Sequence, residues 1–173
     1  MVVRIRRPFQ GAHFVHPIDP APRTAILVPG FRETRLVRIF PQGWNERAKR
    51  FRPASIAGPL EQLASLAREG WPLEQAVIVF TYAGGPGVSP RDREALWQSF
   101  GVPVFEQYLG PRNKLLATEC DAHGGLHVVS SLVLSMVSSC EGFPLEHEVC
   151  PCGNPAPRIT RGSRIDELAA LLA

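Results

Sequence analysis

The stretch QAVIVFTYAGGPGVSPRDREALWQSFGVPVFEQY, residues 75–108, restricts the fold more than any other part of the chain. Residues 75–82 form a continuous apolar run rich in β-branched and aromatic side chains, the pattern of a strand buried on both faces. Gly84, Gly85 and Gly87 then free the backbone for a tight loop. Ser89 predicts an N-cap, Pro90 suits the first helical position, and Asp92 completes a capping-box-like pattern. The helix is expected to run to about Phe100 and to stop at Gly101, and residues 102–108 form the next strand. Strand, glycine loop, helix and strand within about 35 residues make a βαβ unit, so the fold class is α/β.

The rest of the chain is arranged around that unit. The first 60 residues are punctuated by eight prolines, with short strands expected at 24–28 and 35–40. Residues 58–70 read as a helix: Pro59 suits the first turn, Leu60, Leu63, Leu66 and Ala67 make an apolar stripe, and Gly70 stops it. After Tyr108 the pattern shifts to short β segments at 114–120, 125–134 and 157–160, with a closing helix at 165–173. A chain of 173 residues suffices for one compact domain. Within it, a basic, proline-rich segment (1–57) precedes an α/β and β-rich portion (58–173).

Charge separates the same two parts. Residues 1–53 carry 11 Lys and Arg against 3 Asp and Glu, whereas residues 54–173 carry 8 against 13. A basic first third could meet phosphates, nucleic acid or an acidic partner. It lacks the aromatic-interleaved motif of a nucleic-acid binder, so it reads as a solvated face and nucleic acid is not an expected partner. No apolar run approaches the roughly 20 residues of a membrane span. The N-terminus also lacks the apolar block and cleavage site of a secretory signal, and the expectation is a soluble, cytoplasmic chain.

In such a compartment, cysteines are metal ligands or free thiols more often than disulfides. The segment CPCGNPAPRI (150–159) places Cys150 and Cys152 one residue apart, with Pro151 and Gly153 to turn the backbone. A redox pair usually has two intervening residues at a helix start, and a disulfide across one residue would be strained. Spacing leaves two readings open. In one, Cys150 and Cys152 share a metal with Cys120. In the other, Cys120 is a small buried hydrophobe and the pair are loop thiols. Cys140 reads as a core residue.

Four segments in order, GGPGVSPRDREALWQSFGVPVFEQY, LLATECDAHGGLHV, CPCGNPAPRI and GSRIDEL, resemble the phenylacetate–coenzyme A ligase branch of the adenylate-forming enzymes. The likeness covers about residues 58–168. It implies a βαβ-containing fragment of the adenylate-forming N-terminal domain followed by a small β-rich, zinc-binding subdomain. Matched residue by residue, it also implies that Cys120, His127, Cys150 and Cys152 hold a structural zinc, with His123 and His147 as spare ligands. Around Gly84 and Gly85 the family's backbone lies against adenine. Tyr108 would line the same remnant pocket, and both features also read as ordinary loop and packing positions.

The departures from the family are as informative. Its Ser/Thr/Gly-rich phosphate loop is absent. In register with Tyr108 the chain reads YLGPRN, so Pro111 and Arg112 replace the threonine that binds phosphate and the glutamate that holds magnesium. Proline offers no hydroxyl, and arginine cannot ligate a cation. No aspartate lies between His127 and Cys150 to bind ribose, and the C-terminal domain with its catalytic lysine would begin where this sequence ends. The resemblance therefore implies a non-catalytic, zinc-stabilised relative acting as partner, scaffold or sensor, in which ATP, magnesium and coenzyme A do not support catalysis. The alternative is an enzyme or binding protein with a residual coenzyme A, acyl or nucleotide site and Arg112 as a phosphate anchor. A homodimer or a ligase-like protein partner is expected, because the apolar runs at 75–82 and 128–139 exceed the helices available to cover them.

Overall fold

The computed structural model describes residues 11–82, 85, 87–131, 133–135 and 145–160. Nine strands form one sheet among these residues: β1 (Thr24–Ile26), β2 (Val37–Ile39), β3 (Ser55–Pro59), β4 (Ala76–Tyr82), β5 (Val104–Leu109), β6 (Leu115–Glu119), β7 (Leu126–Val128), β8 (Leu145–Glu146) and β9 (Arg158–Ile159). Their order is β2-β1-β3-β4-β5-β6-β7-β9-β8. Strands β2 to β5 pair in parallel, and every pairing from β5 onward is antiparallel. Connection length decides this change. Parallel neighbours need a crossover, which helix α3 (Pro90–Phe100) supplies between β4 and β5, whereas only residues 110–114 join β5 to β6 and can merely reverse the chain.

The central strands are buried because both faces are covered. On one face, Val77 and Val79 pack with Leu63 and Leu66 of helix α2 (Leu60–Ala67) and with Leu96 and Phe100 of α3. On the other, Ile78 and Phe80 meet Phe14, Phe31 and Phe105, and the rings of Phe31 and Phe80 stack at 5.2 Å. The proline-punctuated first third thus contributes strands to the sheet and aromatic cover for β4. A third cluster, around Tyr108, Leu116, Leu126, Val128 and Ile159, fills the antiparallel end.

Helix α3 forms where local chemistry directs it. The Ser89 hydroxyl accepts from the Asp92 backbone N–H at 3.1 Å, and Gly101, in the left-handed region at φ 69°, donates to the Trp97 carbonyl at 2.8 Å. Ser89→Ala should lower stability by about 1 kcal/mol. Urea denaturation checks this, and an unchanged midpoint would contradict the capping role.

Several elements differ from the sequence reading. Strand β3 and helix α1 (Glu46–Phe51) were not expected, and α2 begins at Leu60 because Gly58 and Pro59 finish β3. The strand expected over 125–134 covers only Leu126–Val128, and Ser131 and residues 133–135 are helical. Strand β8 was unforeseen, and β9 occupies the centre of the segment expected at 157–160. The helix expected at 165–173 lies outside the described residues, as does Cys140. No described helix is long and apolar enough to cross a membrane.

Candidate metal centre

Three neighbouring pieces of the antiparallel end bring Cys120, His127, Cys150 and Cys152 together. Strand β6 ends at Glu119, and the turn after it begins with Cys120, whose carbonyl accepts from the His123 N–H at 3.0 Å. His127 is the middle residue of β7, paired with Thr118 of β6 on one side and Arg158 of β9 on the other. The third piece is a tight turn in which the Gly153 N–H donates to the Cys150 carbonyl at 2.8 Å. Gly153 sits at φ 81°, a left-handed conformation that a residue with a Cβ adopts only under strain.

The four ligand atoms all lie within 4.8 Å of one another. Cys120 Sγ is 3.6 Å from Cys150 Sγ, and Cys152 Sγ is 3.4 Å from His127 Nε2. A tetrahedral ion with metal–sulfur bonds of about 2.3 Å and a metal–nitrogen bond of about 2.0–2.1 Å has edges of about 3.8 Å between sulfurs and about 3.6 Å between sulfur and nitrogen. The observed edges fit that polyhedron and are far too long for a disulfide, whose S–S bond is about 2.05 Å.

The histidine is oriented for the task. Its Nδ1 lies 2.9 Å from the Ala156 carbonyl, which can only accept, so Nδ1 carries the proton and Nε2 presents a lone pair to the sulfurs. Burial differs among the ligands: His127 and Cys150 are enclosed, Cys120 is half-buried and Cys152 is exposed. Burial pushes the Cys120 thiol up to about 12, while the Cys152 backbone N–H draws the Cys150 thiol down to about 6. A cluster of three sulfurs and one imidazole with these separations could bind a metal such as zinc.

A buried polar network adjoins the centre. Glu119, directly before Cys120, is 1% exposed; its carboxylate accepts from Arg93 Nη2 of α3 at 2.9 Å and from the Glu106 N–H at 2.9 Å. Arg93 Nη1 donates to the Val104 carbonyl. The Glu106 carboxylate accepts from the Thr81 hydroxyl at 2.8 Å and from the Val88 N–H at 3.1 Å. Sequence reasoning missed Arg93, Glu106 and Glu119. Glu106 and Glu119 lie on strands, so an inward-facing carboxylate in each was the available signal.

The other candidate residues do not join this centre. His123 packs against the Phe105 ring at 5.1 Å in a tilted arrangement, with Nδ1 3.3 Å from the Glu119 carboxylate, and His147 is exposed outside the cluster. Gly85 is half-buried and donates to the Tyr82 carbonyl at 2.9 Å, while Gly84 lies outside the described residues. Tyr108 is packed in the third core cluster. Pro111, Arg112 and Asn113 form a single 3-10 turn with an exposed Arg112 at φ 59°. Asn113 Nδ2 ties that turn to the Pro29 carbonyl at 2.8 Å.

No protein-family model matches the chain, and no curated protein does either. Among solved structures it is similar to an open conformation of 2-hydroxyisobutyryl-CoA ligase in complex with 2-HIB-AMP and CoA, with a TM-score of 0.56. The fold is acyl-CoA-ligase-like. Sequence identity is 12%, so the likeness concerns the fold alone. The match covers 84% of this chain and 45% of the ligase chain, so the chain spans less than half of that enzyme's length.

Proposed function

We propose that the Cys120, His127, Cys150 and Cys152 cluster holds a structural zinc ion, and that the chain is a non-catalytic, ligase-like protein acting as partner, scaffold or sensor. The observation that carries this reading is the closed donor set. Four protein ligand atoms within 4.8 Å of one another are enough to fill a tetrahedral ion's coordination without water or substrate, as structural rather than catalytic zinc requires. Soft thiolates with one imidazole favour zinc over magnesium or calcium, which take oxygen ligands.

The turn after β5 supports the absence of adenylating chemistry. There Pro111 and Arg112 stand where the resembling family places its phosphate-binding threonine and magnesium-binding glutamate. The turn is held by Asn113 against residue 29. Without a carboxylate to hold magnesium or a hydroxyl to bind phosphate, these positions lack the metal-assisted stabilisation on which adenylation draws. The chain should therefore release no pyrophosphate from ATP with a panel of aryl and fatty carboxylates above a heat-killed control. Release above that control would overturn the non-catalytic reading.

The second reading, a residual coenzyme A, acyl or nucleotide site, draws on one observation. Arg112 is exposed beyond the carboxyl end of the parallel strand β5, where open α/β sheets bind ligands. In the same assay series, a Tm raised by coenzyme A or ATP, and no longer raised in Arg112→Ala, would favour this alternative.

A further inference from the structure

Arg158 is a buried cation that neither composition nor motif singles out. It is 5% exposed, and it lies on β9 opposite both His127 of β7 and Glu146 of β8. Burying a guanidinium is costly unless it is paired and hydrogen-bonded. Arg158 Nη2 meets the Glu146 carboxylate at 2.9 Å, and Nη1 reaches the Gly124 carbonyl at 3.5 Å and the Cys150 sulfur at 3.6 Å. Its Nε has no hydrogen-bond partner among the described residues. Gly124 is part of the fit, because a Cβ there would stand 2.6 Å from Nη1.

A zinc ion with three thiolates and a neutral imidazole carries a net charge of −1, and Cys150 is the enclosed sulfur of the three. An enclosed excess charge needs a counter-charge, and the guanidinium is in contact with that sulfur. We propose that Arg158 is the positioning residue of the metal centre, neutralising it through the Cys150 sulfur and holding the 150–153 turn against β9. This inference rests on the zinc reading above.

Cobalt(II) in place of zinc makes the claim measurable, because its sulfur-to-metal charge-transfer band reports the energy of the thiolate lone pairs. A cation beside the sulfur lowers those lone pairs, so Arg158→Met, which keeps the side chain's bulk, should move the band to lower energy. The same variant should weaken zinc binding roughly 10- to 100-fold in chelator competition. Arg158→Lys keeps the charge but not the planar fork; it should restore the band with less than about a tenfold loss of affinity. Glu146→Gln, a change at the half-buried rim, removes the competing carboxylate and should move the band the opposite way, to higher energy. That variant keeps the test informative if Arg158→Met does not fold. A wild-type protein that binds cobalt normally, with the band unmoved in Arg158→Met and in Glu146→Gln and zinc affinity unchanged in both, would overturn the role of Arg158. A wild-type protein that takes up neither cobalt nor zinc would overturn the zinc reading and this inference together.

Discussion

Purified protein should carry about one zinc per chain, and stripping it with a chelator should lower stability on the order of 5 kcal/mol, because metal binding at a structural site is coupled to folding. The size of the effect follows from how short the described strands at this end of the sheet are. Strands β7, β8 and β9 contain three, two and two residues, well under the usual strand of about five or six. Among the described residues, their apolar support is the small cluster around Tyr108 and Ile159. The turns carrying Cys120 and Cys150 contribute polar and glycine residues, so four metal bonds would replace the packing that longer strands supply. Cys152→Ser offers a clean version of the test, since Cys152 is exposed and the substitution leaves no cavity in the core. Its stability should match that of chelated wild-type protein, and chelator should have no further effect on it. Elemental analysis together with denaturant titration checks both points. Substoichiometric metal in carefully prepared protein, with stability indifferent to chelator, would remove the structural role.

Arg93→Met should cost about 3 kcal/mol or more, because it leaves the Glu119 carboxylate enclosed after its cationic partner has gone. Arg93 is 17% exposed at its side chain and Glu119 is 1% exposed, so solvent cannot substitute for the guanidinium. The Glu106 N–H still donates to the carboxylate in that variant, but the guanidinium contact at 2.9 Å is lost. The double variant Arg93→Met/Glu119→Gln should recover part of the loss, since the enclosed carboxylate charge is then absent. Urea unfolding of the two single variants and the double variant gives the coupling. A loss below about 1 kcal/mol for Arg93→Met would place this pair among weak surface ion pairs and refute its buried role. The pair also matters to the metal centre, because it fastens helix α3 to the residue preceding Cys120.

The elements legible in the sequence are those whose signals are local. Helix α3 was readable from Ser89, Pro90, Asp92 and Gly101, each acting on backbone groups within four residues. Strand β4 was readable because its unbroken apolar run excludes a solvated face. Strand β3 was not, since SIAGP is short and ends in two residues that ordinarily break strands; its pairing with β1 and β4 makes it a strand. Helix α1 spans six residues, too few to show a period, and depends on the Asn45 cap and on packing of Ala48 into the core. The strand read through 125–134 ends at Val128, where the Val129 and Ser130 N–H groups both turn onto the Leu116 carbonyl instead of continuing the ladder, and period alone cannot separate a short buried strand from a helical turn.

The candidate site divides along the same line. By itself the sequence determined which side chains have metal chemistry, since thiols and imidazoles are rare and Pro151 and Gly153 mark a turn between two of them. The tertiary structure decided which of them meet. It brings Cys120 within 3.6 Å of Cys150 across thirty positions, turns His123 away onto Phe105, and seats the Arg158 guanidinium against the Cys150 sulfur. The physical reason is range. Capping, turn and burial preferences act over a few residues, whereas the three thiols and the imidazole meet only after β6, β7 and β9 have paired in register.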